Sequence, residues 1–200
     1  IDEENTEDFY KMAAMSPSEE EYLSTSPLQL AKNRVTWLLF LMLSATFTGY
    51  IIRNYETSLQ QVVILASFIP MLMDTAGNAG SQSSTLIIRG LALGQIKTSD
   101  LLIILFKELK VSLIVGTVLS FVNFFRILLI DQTSLAISLT VSLTLFMTII
   151  LAKIVGSLLP IIASKLKFDP AIMASPLITT IVDALSLIIF FNLATVILNI

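Results

Sequence analysis

The chain has 200 residues, 55% of them hydrophobic and only 14% charged, about half the charge that a soluble domain usually carries. Its net charge of -3 comes with no basic tail or patch, which argues against nucleic acid as a partner. Cys and His are absent, which removes thiolate and imidazole metal sites and the usual nucleophile–base pairs. An enzyme is therefore not expected, and any metal chemistry must use oxygen ligands, which suit hard ions such as Mg²⁺, Ca²⁺ or Mn²⁺.

Residues 1–33 are polar and acidic, and eight of the fifteen acids lie between Asp2 and Glu21. The chain opens on Ile1 rather than Met. It reads as a fragment whose N-terminal neighbour has been cut away, and its acidic start is not a signal peptide. The stretch ENTEDFYKMAAM predicts a short amphipathic helix. Glu4, Glu7 and Asp8 fall on one face of it at i, i+3 and i+4. Such a face is either simply solvated or a cytosolic cation sensor. A linker, SPSEEEYLSTSP, follows. The organisation expected is a cytosolic acidic linker helix and connector over 1–33, then a membrane domain over 34–200.

Apolar runs of about 20 residues mark bilayer-spanning helices, and five are expected. The first covers 35–52. The second starts near Leu59 and runs through a polar, Gly-rich middle, LASFIPMLMDTAGNAGSQSSTLIIRGLALG. The third covers about 101–125, the fourth about 134–163, and the fifth runs from Pro170 to the C-terminus. An odd number of spans puts the two ends on opposite sides. Ten of the twelve Lys and Arg residues lie before span one or near the turns joining spans two to three and four to five. The excess of positive charge faces the cytosol, so the N-terminus is expected inside and the C-terminus outside.

Ionisable groups at membrane depth are costly and usually functional. Asp74 and Asp183 stand out. Lys107, Glu108, Lys110 and Lys153 lie near enough to the cytosolic surface to snorkel. On span two, Asp74, Asn78, Ser81 and Thr85 share one helical face, with Gln82 beside them and Gly77 and Gly80 among them. The face suits either a cavity or a small-residue packing seam with one satisfied acid. On span five, Asp169-Pro170 reads as a helix start. Asp183 follows fourteen residues later, about 1400° and about 21 Å along a straight helix, on the same face. Ser175, Thr179 and Ser186 join that stripe. Oxygen-bearing side chains between two acids are what a cation pathway needs. The alternatives are that Asp169 only caps the helix and that Asp183 is a buried acid bonded by Thr179 or Thr180.

The segments PMLMDTAGNAGSQSSTLIIRGLALG (70–94) and FDPAIMASPLITTIVDALSL (168–187) carry a resemblance that covers nearly the whole chain. The sequence resembles the membrane domain of the MgtE family of magnesium channels and transporters. The resemblance implies an all-α integral membrane homodimer with five transmembrane helices per subunit. Its pore would lie along the twofold axis, lined chiefly by spans two and five, and residues 34–200 would form the ion-conducting domain. It also implies that Asp183 is the central Mg²⁺ site and Asp169 a second site near the cytosolic mouth. Glu4, Glu7 and Asp8 would contribute to inhibitory Mg²⁺ sites shared with cytosolic N-terminal and CBS domains that this sequence lacks. Asp74, Gly77, Asn78, Ser81, Ser175, Thr179 and Ser186 are the further candidates along the pathway. DTAGNAG stands where family members often carry two adjacent glycines, a departure centred on Ala76. The function expected is inward conduction of Mg²⁺ across the cell membrane. The alternative is a secondary transporter that exchanges divalent cations with H⁺ or Na⁺.

Overall fold

The computed structural model describes residue 7 and residues 10–13, 15–16, 22–173 and 175–200. Every regular element among them is helical. Helix α1 is Pro27–Asn54, α2 Glu56–Gln61, α3 Leu65–Ala92, α4 Leu101–Leu129, α5 Leu135–Lys165 and α6 Ser175–Leu198. Two 3₁₀ turns, Thr98–Asp100 and Pro170–Met173, precede α4 and α6. Among the described residues four stretches are long and apolar enough to cross a membrane: Pro27–Asn54, Thr98–Leu129, Leu135–Lys165 and Pro170–Leu198. Helix α3 has 28 residues, but its middle is polar.

Boundaries follow local chemistry. Helix α1 starts earlier than the apolar run, because the Ser26 hydroxyl accepts the Gln29 N–H at 3.3 Å and Pro27 occupies the first turn. The second long helix starts at Leu65, later than expected, since residues 56–61 form the separate helix α2. The largest correction concerns the last helix. Asp169 and Pro170 begin a 3₁₀ turn, and α6 begins only at Ser175. A helix from Pro170 would carry Pro176 in its interior, where the missing N–H and the ring clash break the ladder. Restarting at Ser175 places Pro176 in a first turn, where it is tolerated. Asp169 and Asp183 are therefore not joined by one straight helix.

Helix α3 packs against α5 and α6, α4 against α5, and α6 against α5; α1 leans mainly on α6. Glycine sets these distances. A Cβ on Gly156 of α5 would run into the Gly80 carbonyl of α3. One on Gly80 would stand 3.0 Å from the Ala152 carbonyl, and one on Gly77 2.9 Å from Thr179 Cγ2. Around these crossings Leu65, Phe68, Leu72, Ile149, Ile178 and Phe190 form the core. Several hydroxyls buried in α5 bond within their own helix: Thr140 donates to the Ala136 carbonyl and Thr144 to the Thr140 carbonyl, both at 2.8 Å. That is how polar side chains survive away from water. Only Ile51 of α1 is buried, while Leu38, Leu43 and Phe47 are exposed. A helix apolar on every side matches a lipid environment.

Candidate functional site

The 3.6-residue repeat of α3 divides it cleanly. Leu72, Ala76, Ala79, Gly80 and Ser83 are buried against neighbouring helices, whereas Asp74, Asn78, Gln82 and Thr85 are exposed and Ser81 is half-buried. The Asn78 amide donates to Asp74 Oδ2 at 3.3 Å. Asn78, Ser81, Gln82, Thr85 and Leu86 line an open groove along this face. A polar face of this length on a helix among apolar ones calls for water or a partner.

Asp183 on α6 is half-buried and lies within Coulombic reach of Asp74. Val182 and Ala184 on either side are buried in the core. The Thr179 and Thr180 hydroxyls both donate to the Pro176 carbonyl, at 2.9 and 3.0 Å, so their single protons are spent there. No hydrogen bond reaches the Asp183 carboxylate among the described residues. The reading of Asp183 as an acid satisfied by these threonines therefore loses its donors. Thr179 sits with its methyl near Gly77, which joins the two helices at the level of the polar face. Ser186 is buried and donates to the Val182 carbonyl at 2.7 Å, away from the groove. Helix α6 begins at Ser175.

Asp169 does two things. Its Oδ1 accepts the Ala171 N–H at 2.8 Å, capping the 3₁₀ turn, and its Oδ2 accepts Lys11 Nζ at 2.6 Å. Lys11 also meets Glu7 Oε1 at 2.6 Å, one helical turn back. The hydrogen bond to Asp169, and then the one to Glu7, raise the Lys11 pKa above its ordinary value, so this ammonium stays charged throughout the neutral range. The N-terminal segment thus reaches the turn that leads into α6. Glu4 and Asp8 lie outside the described residues.

A second polar cluster escaped the sequence reading. Lys153 of α5 is only 5% exposed, so it does not snorkel to the surface. Its Nζ donates to Ser83 Oγ at 3.3 Å, and Ser83 Oγ donates to Glu108 Oε2 of α4 at 2.6 Å. Lys110 does behave as a surface residue, with its ammonium 4.4 Å from the centre of the Phe106 ring. The signal available in the sequence was an acid within the third apolar run, Glu108 between Lys107 and Lys110, and a lone Lys153 well inside the fourth.

No group of three or more acidic side chains gathers among the described residues. Single carboxylates or pairs, set among amides and hydroxyls, suit an ion that keeps much of its hydration shell. Helices able to cross a membrane, together with acids on a polar helix face, are features of membrane proteins that handle ions or polar substrates. The sequence profile of the MgtE family, described as a divalent cation transporter, matches residues 69–193. Similar proteins include the "Magnesium transporter MgtE" of Thermus thermophilus, 34% identical over 205 residues, and that of Bacillus subtilis, 37% identical over 192 residues. The Enterococcus faecalis protein of the same name is 33% identical over 195 residues. These alignments cover 100%, 96% and 98% of this chain but 44%, 42% and 42% of the relatives, so the chain spans less than half their length. The chain belongs to the MgtE family.

Proposed function

We propose that this chain is the ion-conducting membrane domain of a Mg²⁺ transport protein, carrying divalent cations inward. The observation that carries the reading is the uncovered polar face of α3, with Asp74 within Coulombic reach of Asp183 of α6. The names of the relatives supply the ion. Helix α3 is about 42 Å long at 1.5 Å per residue, enough to cross a hydrocarbon core of about 30 Å despite its polar middle. It would be the fifth span. A second copy would cover the polar face, so that α3 and α6 of both copies surround a twofold axis. On that axis the two Asp183 carboxylates bind Mg²⁺ through retained water. Asn78, Ser81 and Thr179 line the path, with Gly77 admitting close approach. The inside-negative potential drives entry, at about 2.3 kcal/mol per charge per 100 mV and about twice that for a divalent ion. Asp169 forms a second ion site at the cytosolic mouth. Glu4, Glu7 and Asp8 serve inhibitory Mg²⁺ binding together with further cytosolic parts of the protein.

The test is Mg²⁺ uptake by proteoliposomes containing wild type or Asp183→Asn, with assembly followed by size-exclusion chromatography. The variant removes charge and keeps shape, so uptake should collapse while the assembly elutes unchanged. Undiminished Mg²⁺ uptake by the variant would move the central site to Asp74.

A further inference from the structure

We propose that Lys153, Ser83 and Glu108 form a positioning network that sets the rotation of α3, and with it the aim of its polar face. Gly80 of α3 lies against the turn of α5 that runs from Ala152 to Gly156, backbone on backbone. Such a contact brings the helices close through their backbones and leaves polar side chains one turn away within reach of each other. Ser83 is one turn beyond Gly80, and Lys153 belongs to the very turn that Gly80 touches. Their hydrogen bond therefore acts directly beside this backbone-on-backbone contact.

The chemistry favours a fixed geometry. The Ser83 hydroxyl accepts from the Lys153 ammonium and donates to the Glu108 carboxylate at 2.6 Å, much closer than the Ala79 carbonyl of its own helix at 3.5 Å. Three helices meet at one oxygen, Ser83 itself being 1% exposed. Rotating α3 would separate both charges from that oxygen, and for Lys153, which is buried, an unpaired charge is destabilising. The same rotation would swing Ser81, Gln82 and Thr85, all within two residues of Ser83, out of the groove they line. The next residue, Ser84, donates to the Met173 carbonyl at 3.1 Å. The junction therefore also holds the turn that carries Asp169.

This inference rests on the reading of α3 as a pathway wall. The experiment measures Mg²⁺ and Ca²⁺ uptake in proteoliposomes for Ser83→Ala, Ser83→Thr and the doubly neutral Lys153→Met/Glu108→Gln, with Asp183→Asn alongside. Coupled groups in one network shift each other's energetics by a few-fold or more. Ser83→Ala should thus lower the ratio of Mg²⁺ to Ca²⁺ uptake by about threefold or more, and Ser83→Thr should restore it. The double variant leaves no lone buried charge, so it remains testable where single charge deletions misfold. It should show the same lowered ratio, and adding Ser83→Ala to it should change nothing further. An unchanged ion ratio in Ser83→Ala and in the double variant overturns the network while leaving the pathway in place, provided that Asp183→Asn still abolishes uptake. Full uptake by Asp183→Asn overturns instead the central site assigned to Asp183, whatever the result for Ser83.

Discussion

Gly156 has less room than any other glycine between two long helices. A methyl there meets the Gly80 carbonyl, part of a backbone that cannot swing aside as a side chain does. Gly156→Ala should therefore destabilise the protein by about 1–3 kcal/mol, the range for overpacking a tight contact. The melting temperature in detergent should fall, whereas at Gly49, where a Cβ meets nothing within 4 Å, Ala should be tolerated. Lys11 offers a second test. Its ammonium occupies Asp169 Oδ2, the position a cation would take. A partly exposed pair of this kind is worth about 1 kcal/mol or less. Lys11→Met should accordingly tighten Mg²⁺ binding at the turn by about fivefold at most, read as Mg²⁺-dependent protection of residues 169–173 from hydrogen exchange. A turn equally protected in both proteins would show that Asp169 does not hold the ion. Such residue-level contacts were poorly legible. Lys11 and Asp169 are 158 residues apart, and Lys153 was placed by its distance from a helix end. That distance says nothing of which neighbour comes close enough to bury it. The neighbour is α3, admitted by Gly80, whose small size is noted from the sequence, and by Gly156, which is not singled out there.

Among the elements, the polar face of α3 was legible because a helical repeat fixes which side chains share a side, whatever the tertiary context. Asp74, Asn78 and Thr85 do lie together and outward. The start of α6 was misplaced because the sequence holds two start signals six residues apart, Asp169-Pro170 and Ser175-Pro176. Only the second lets the helix keep its ladder, and the first closes a 3₁₀ turn. That turn leans on α3 through the bond from Ser84 to the Met173 carbonyl. Removing the donor leaves a carbonyl without that bond at a cost of about 1–3 kcal/mol. Ser84→Ala should therefore raise hydrogen exchange across residues 170–173, with little change in the middle of α5. Equal exchange in variant and wild type would mean that the turn is held by other contacts. Helix α1 differs from the rest. Its sole buried residue is Ile51, and hydropathy described it well because lipid rather than protein is its expected surroundings.

At the scale of the whole molecule, the distribution of Lys and Arg predicts a cytosolic N-terminus and an external C-terminus. Cysteines introduced at Ser18 and Asn199 should label from opposite sides of the membrane, and labelling from one side would mean an even number of spans. The same account requires a second copy, because one chain leaves the α3 groove open. The central claim is that two such faces enclose a path down which Mg²⁺ moves under voltage alone. The direct measurement is the current through purified protein in a planar bilayer, with Mg²⁺ as the only permeant cation and no gradient of H⁺ or Na⁺. The account predicts a current whose reversal potential follows the Mg²⁺ gradient. Absence of current, with Mg²⁺ uptake that appears only when an H⁺ or Na⁺ gradient is imposed, would contradict it and identify a coupled exchanger.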